Sequence, residues 1–308
     1  MKVYYRLTDV GKIQNPVVTT GIFDGVHIGH KAIIERLKKY ANVIHGQTVI
    51  ITFFPHPRKV LYPKTKGKNL KCIYSQSEKI KLLSEIGIDH LIIIPFTREF
   101  AVTTSEQFVK NILVNKLKVK KIIVGFNHHF GYLKTGNYAI LKEMGKEYGF
   151  EVEEIPAMEL ENETISSTRI RNALKEGNIQ RANAYLDHFY SISGDIKPAD
   201  KKFERIGFPM YRLIPDENSK LIPPSGIYAV SAKIEKMHLR GMVKIEKHKK
   251  SIKTIEVHFF NIEKENFTVQ TVSVNIHKRI RKYFVANSIE KIKSQLTSDK
   301  NRIEELIF

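Results

Sequence analysis

Two imidazoles separated by two residues, His27-Ile28-Gly29-His30, follow the largely apolar run Val17-Val18-Thr19-Thr20-Gly21-Ile22-Phe23. Imidazoles at this spacing can ligate a metal or donate hydrogen bonds to an anion. A structural zinc ion takes four ligands, and His45 and His56 are too scattered to complete a set. Phosphate is the better partner. An apolar strand, a glycine-containing turn and a helix start coincide here, and a helix N-terminus turns unpaired N–H groups and a positive dipole end toward an anion. His27 and His30 would project from one face of the first turn. Gly29 has no Cβ and lets a ligand approach the backbone.

Four further segments carry the same kind of chemistry, in order along the chain. They are Thr52-Phe53-Phe54-Pro55-His56-Pro57, Ile94-Pro95-Phe96-Thr97-Arg98-Glu99-Phe100-Ala101, Val124-Gly125-Phe126-Asn127-His128-His129-Phe130-Gly131 with Gly136, and Ile165-Ser166-Ser167-Thr168-Arg169-Ile170-Arg171. With Gly21-Ile22-Phe23-Asp24-Gly25-Val26-His27-Ile28-Gly29-His30 they resemble the prokaryotic FAD synthetases. Those are the usually bifunctional riboflavin kinase/FMN adenylyltransferases of the wider His-x-Gly-His nucleotidyltransferase superfamily.

The resemblance implies that the phosphate of FMN attacks the α-phosphorus of ATP, giving FAD and pyrophosphate. The nucleophile is already an anion, so the protein has to align groups and neutralise charge rather than activate a side chain. By resemblance, ATP is held by Gly21, Phe23, Asp24, Gly25, His27, Gly29, His30, Ser166, Ser167, Thr168 and Arg171, and FMN by Phe53, Phe54, His56, Pro57 and Asn127. His27, His30, Asn127 and Arg171 are the expected catalytic residues, Arg171 as a forked cation for the departing pyrophosphate. Mg²⁺ is expected on the ATP phosphates, with no protein side chain assigned as its ligand. Two positions depart from the family: Phe54 replaces a frequent acidic residue, and Asn127-His128-His129 replaces Asp-Phe-Arg. A buried core aromatic is an equal reading for Phe53.

Farther along, Gly194 to Pro209 matches in length the family's kinase opening, G-x-V-x-x-G-x-x-R-G-R-x-L-G-F-P-T-A-N. Gly194, Gly207, Phe208, Pro209, Gly226-Ile227-Tyr228-Ala229-Val230 and the base Glu256 are kept. Ala199 and Phe203 stand in place of glycines, although a phosphate-cradling loop uses glycine for close approach and positive φ. Met210 and Arg212 replace the Thr and Asn that offer oxygen ligands to Mg²⁺, and neither Asn-Ile-Gly nor Arg-Pro-Thr is visible between Met242 and Ser251. The expectation is a retained fold with riboflavin kinase activity lost. A fully bifunctional enzyme is the alternative, and a flavin-responsive nucleic-acid-binding protein a second one.

The elements that must position these residues follow from periodicity. Strands are expected at Val17 to Phe23, Thr48 to Phe54, His90 to Phe96, Lys121 to Phe126 and Phe150 to Pro156. Helices are expected at Lys31 to Ile44, Ser77 to Ile86, Ser105 to Leu117 and Tyr138 to Tyr148, then around Thr168 to Leu174 and Ile179 to Leu186. Repeated βα units argue for an α/β, Rossmann-like domain whose parallel sheet is covered on both faces. From 190 to 280 short alternating runs broken by Gly and Pro read as a small β-barrel, closed by a helical tail from Ser288. The expected domains are 1–187, for adenylyl transfer, and 188–308, riboflavin-kinase-like.

Composition bounds the rest. The 308 residues hold 42% apolar and 27% charged residues, with no apolar run long enough to span a bilayer. The N-terminus lacks a signal-type apolar region and there is one cysteine, Cys72, so the expected location is the cytoplasm. The net charge of +19 is spread out, with +9 from Tyr190 onward and +10 before it. Clusters such as Lys247-His248-Lys249-Lys250 and His277-Lys278-Arg279-Ile280-Arg281-Lys282 read as solvated faces. Nucleic acid is therefore not an expected partner, nor is a membrane. The partners are ATP and FMN, and the chain is expected to be a monomer or weak homo-oligomer. An aminoacyl-tRNA synthetase would add a Lys-Met-Ser-Lys-Ser-like loop, which is absent.

Overall fold

The computed structural model describes residues 1–161, 163–199, 201–234, 237–247, 253–260, 271–283 and 288–307. The chain forms two compact units, 1–71 with 79–166, and 72–78 with 167–308.

The first unit is built on a six-stranded sheet of β1 (Lys2–Tyr4), β2 (Val17–Thr20), β3 (Thr48–Phe54), β4 (His90–Pro95), β5 (Lys121–Gly125) and β6 (Glu151–Ile155), in the order β1-β4-β3-β2-β5-β6. All five pairings are parallel. Between the strands run α1 (Ile28–Val43), α2 (Pro57–Leu61), α3 (Gln76–Ile86), α4 (Ser105–Gln107) and α5 (Tyr138–Tyr148). A small antiparallel pair, β7 (Glu159–Leu160) with β8 (Glu163–Thr164), follows.

Strand residues alternate between two cores, as the period of two demands. Val18, Ile51, Ile92 and Ile122 pack on one face with Phe108, Leu113 and Leu141. Val17, Ile50, Leu91 and Ile123 pack on the other with Ile34 and Leu37 of α1 and Leu83 of α3. Burying a side chain such as Leu37 contributes roughly 1.5–3 kcal/mol, which is why these strands read as unbroken apolar runs.

Three elements differ from expectation. β2 stops at Thr20 rather than Phe23, because Phe23 takes a φ of 52° that no strand tolerates. The short polar β1 gives too little periodicity to be seen in advance. The helix expected over Ser105 to Leu117 opens as α4 on a Thr104/Gln107 capping box and continues as a π-helix over Phe108–Lys116.

In the second unit α6 (Ser167–Glu176) and α7 (Ile179–Leu186) lead into a closed barrel of six strands, β10-β13-β12-β11-β14-β9 in spatial order. These are β9 (Tyr190–Pro198), β10 (Tyr211–Pro215), β11 (Gly226–Ile234), β12 (Met237–Lys247), β13 (Lys253–Phe259) and β14 (Thr271–Lys282), with the short α8 (Lys201–Arg205) between β9 and β10. Closure leaves no free sheet edge. The terminal α9 (Ile289–Ile307) sets Leu296 and Ile303 into a core with Ile227, Ala229, Met242 and Phe260.

Of the two basic clusters, His248, Lys249 and Lys250 lie outside the described residues. The other lies on β14 and is partly engaged: Arg281 donates to both oxygens of Asp299 (2.7–3.1 Å) and Arg279 to the Ser225 carbonyl. Among the described residues no helix is long and apolar enough to cross a membrane.

A buried ion pair ties 72–78 to this unit. Lys220 Nζ lies 2.6 Å from Glu78 Oε2, donates to the Ser191 carbonyl and sits over the rings of Tyr74 and Tyr190, while the Ser193 N–H donates to Glu78. Removing one partner of such a pair strands a buried charge, at about 3–5 kcal/mol. Lys220→Met should therefore lower the urea midpoint by that equivalent. A loss below about 1 kcal/mol would show that the pair is not what holds the segment.

Candidate active site

The sheet order reverses at β2, with β3 on one side and β5 on the other. Ligands of open α/β sheets bind beyond the strand carboxyl ends at such a switch point. The turn from β2 into α1 and the turn after β5 both open there, and Thr20 at the end of β2 is joined to His128 after β5 by a 3.2 Å hydrogen bond between Oγ1 and Nε2.

The first turn is strained. Phe23 and Val26 have φ of 52° and 44°, and Gly25 has 106°. Positive φ is uncommon for any L residue and rarer still for a β-branched one such as Val26. His27 is the N-cap residue of the 16-residue α1, in an extended conformation and with no side-chain capping bond. Its ring stacks on His30 at 3.7 Å between centroids, and Phe23, fully buried, packs against His30 at 4.7 Å. A Cβ on Gly29 would meet the His27 ring at 3.3 Å. Asp24 is buried in the same turn.

Burial, then His27, then Lys79 hold the His30 pKa well below the ordinary 6.5. The stacked rings are thus compatible because at least one is neutral. His30 Nδ1 is buried without a hydrogen-bond partner among the described residues. A neutral imidazole can still donate one N–H, so this end of α1 offers hydrogen bonds to an anion without a mobile proton.

The remaining expected residues fall in several places. Phe53 sits among Phe96, Phe100 and Phe108 at 5.7–6.5 Å, in an aromatic cluster packed on the core, whereas Phe54 is exposed. His56 caps α2, accepting from the Arg58 N–H at Nδ1, and Pro57 is the first residue of that helix. Asn127 is exposed, with a φ of 60° that Asn accepts more readily than most residues, and its carbonyl pairs with His129 Nδ1 at 2.9 Å. Gly21, Phe23, Asp24, Gly25, His27, Gly29 and His30 form one turn, while Ser167, Thr168 and Arg171 belong to α6 of the second unit. There Arg171 is buried and donates to Thr168 Oγ1 at 3.3 Å. Ser166 directly precedes that helix.

One residue escaped the sequence reading, and it acts with Thr52 of the second motif segment. Lys79, buried on α3, donates to the Ile22 carbonyl (3.3 Å) and Thr52 Oγ1 (3.2 Å), and Thr52 Oγ1 donates to the same carbonyl (3.1 Å). Lys79 was not legible, because a lysine in an amphipathic helix reads as solvated.

In the barrel, the segment expected to cradle phosphate is closed. Its centre is α8, whose Phe203 is buried in the core with Met210, while Ala199 packs against that core and hydrogen-bonds to the Met210 carbonyl. Arg212, Glu256 and Lys244 lie in register on β10, β13 and β12. Lys244 Nζ is 2.6 Å from Glu256 and 4.8 Å from the Phe203 ring centre, and Arg212 is 3.7 Å from Glu256. The carboxylate expected as the kinase base is buried between two cations. Such a donor set, one carboxylate between two cations, does not suit Mg²⁺. Among the described residues no group of three or more His, Cys, Asp and Glu could hold a metal ion.

Comparison with known proteins yields two families. The family described as FAD synthetase matches residues 11–169, and that described as riboflavin kinase matches 186–307. A bifunctional riboflavin kinase/FMN adenylyltransferase of Buchnera aphidicola (from Schizaphis graminum) is 34% identical over 97% of this chain and 96% of its own. The protein of the same name in Listeria monocytogenes is 30% identical over 93% and 90%. A crystal structure described as a macrolide-efflux protein from Streptococcus pneumoniae superposes with a TM-score of 0.88 at 27% identity, covering 98% of each chain.

Burial lowers the His128 pKa to about 4, with a smaller push from His129. A histidine whose folded value lies below its unfolded 6.5 contributes stability that is full above pH 6.5 and lost as pH falls toward 4, here on the order of 3 kcal/mol. His128→Phe should remove that share: between pH 7 and 4.5 its urea midpoint should fall less than that of the parent. Equal slopes would mean that His128 is not held neutral.

Proposed function

We propose that this chain, which belongs to the FAD synthetase family and carries that family's riboflavin kinase domain, transfers AMP from ATP to FMN, releasing FAD and pyrophosphate. One observation carries the reading: the intact Gly21 to His30 turn, opening α1 at the sheet's switch point with two stacked imidazoles. An oxygen of the FMN phosphate bonds to the α-phosphorus as the bond from that phosphorus to the bridging oxygen of the pyrophosphate breaks. His27, His30 and the first N–H groups of α1 donate to the triphosphate and stabilise charge that develops on it. Mg²⁺ supplies further charge neutralisation on the phosphates when ATP binds. On the resemblance, Ser167, Thr168 and Arg171 serve the leaving pyrophosphate, Asn127 the reacting phosphates, and Phe53 to Pro57 the flavin.

The functional division proposed is 1–187 for adenylyl transfer and 188–308 for the barrel. The proposed location is the cytoplasm, with the chain a monomer or weak homo-oligomer. The efflux description of the pneumococcal structure is not carried over, because the phosphate-binding turn accounts for the residues present.

The relatives named for both activities, matched over nearly their whole length, support an enzyme that also phosphorylates riboflavin better than the lost kinase expected from the sequence. Adenylyl transfer alone keeps one observation in its favour, the closure of α8 and Lys244 over Glu256. Two assays on one preparation separate the readings. FMN with MgATP should give FAD and pyrophosphate, and His30→Ala should cut the rate by about 10²-fold or more. No FAD from the parent would defeat the main claim. Riboflavin with MgATP should give FMN and then FAD if both activities are present, and nothing if only the first is.

A further inference from the structure

The turn that presents His27 and His30 is held by two side chains, Thr52 at the start of one motif segment and Lys79 outside every motif. Ile22 supplies the carbonyl just before Phe23, and that carbonyl accepts from both Lys79 Nζ (3.3 Å) and Thr52 Oγ1 (3.1 Å), which also accepts from the lysine (3.2 Å). Thr52 is fully buried and Lys79 nearly so. Pinning this carbonyl fixes the Ile22–Phe23 peptide plane at the point where φ turns positive. The orientation of that plane sets where the Phe23 ring lies, and the ring rests on His30, which stacks on His27.

We propose that Lys79 is a positioning residue for adenylyl transfer: with Thr52 it clamps the Ile22 carbonyl and so sets the placement of both imidazoles. The ammonium also adds a fixed positive charge behind them. The charged or titratable groups acting on His30 are His27 at the N-cap of α1 and Lys79 on α3, after burial itself. Lys79 thus helps to keep His30 neutral, so that its free ring nitrogen stays available to a phosphate.

The proposal rests on the adenylyltransferase reading, and the parent's production of FAD tests that reading separately. The experiment compares Lys79→Met, Thr52→Val and Thr52→Ser in the full chain. A misplacement of reacting groups by an ångström costs on the order of 100-fold. Lys79→Met and Thr52→Val should lower kcat by roughly 10- to 100-fold, with KM for FMN within about threefold. Thr52→Ser, which keeps the hydroxyl, should recover most of the rate. In the free protein the His30 Cε1 proton should titrate at higher pH in Lys79→Met than in the parent. If Lys79→Met does not fold, the near-isosteric Thr52→Val and Thr52→Ser pair decides alone. Equal rates for that pair, a parent-like kcat in Lys79→Met, or a rise in KM with kcat unchanged would each overturn the proposal.

Discussion

The adenylyl-transfer end depends on a turn that the polypeptide resists forming. Phe23 and Val26 both sit at positive φ, each at a cost of order 1–3 kcal/mol, and such conformations persist only where the surroundings over-determine them. The surroundings here are specific. The Phe23 ring is buried in the core formed by α1, α3 and one face of the sheet, and the carbonyl before it is gripped by two donors. The turn carries the chain from Thr20, the end of β2, to Ile28, the start of α1, so that the helix N-terminus opens at the carboxyl end of the sheet.

Much of this was legible from the chain. The strand from Thr48 to Phe54 and the helices Tyr138–Tyr148 and Ile179–Leu186 run as their periodicity indicates, because the apolar residues that define the pattern are the ones that bury. What was not legible depends on contacts across long sequence separations. Lys79 lies 57 residues from Ile22, on a helix whose other lysine, Lys81, is not buried. Nothing local marks one as buried and the other as solvated. Likewise His128 reads as a departure from the family's phenylalanine, but its bond to Thr20 exists only because β5 lies beside β2. Strand order, not composition, put them together.

The barrel teaches the opposite lesson. The substitutions Ala199, Phe203, Met210 and Arg212 were visible at once, and their joint presence suggested a site merely lost. The structure gives these residues positive roles: Phe203 and Met210 are core, and Arg212 and Lys244 flank Glu256 in register. A buried carboxylate is costly unless paired, and the pairing here is an ion pair with Lys244 at 2.6 Å and a longer one with Arg212 at 3.7 Å. Retention of Glu256 is therefore no evidence by itself for retained phosphoryl transfer, since the residue has structural employment.

The chemistry explains why the first unit can function with so little titratable machinery. Two phosphorylated reactants repel each other as they approach, and their nucleophile needs no deprotonation, so the demand on the protein is fixed positive potential and alignment. A protonated histidine pair at 3.7 Å would itself be repulsive, whereas the depressed pKa of His30 lets both rings share that space. Positive potential is available from the α1 dipole and from Lys79 beneath the turn, whose charge acts on His30. In the proposed reaction hydrogen bonds come from the imidazoles, with His30 held neutral, and positive potential from the helix and the lysine.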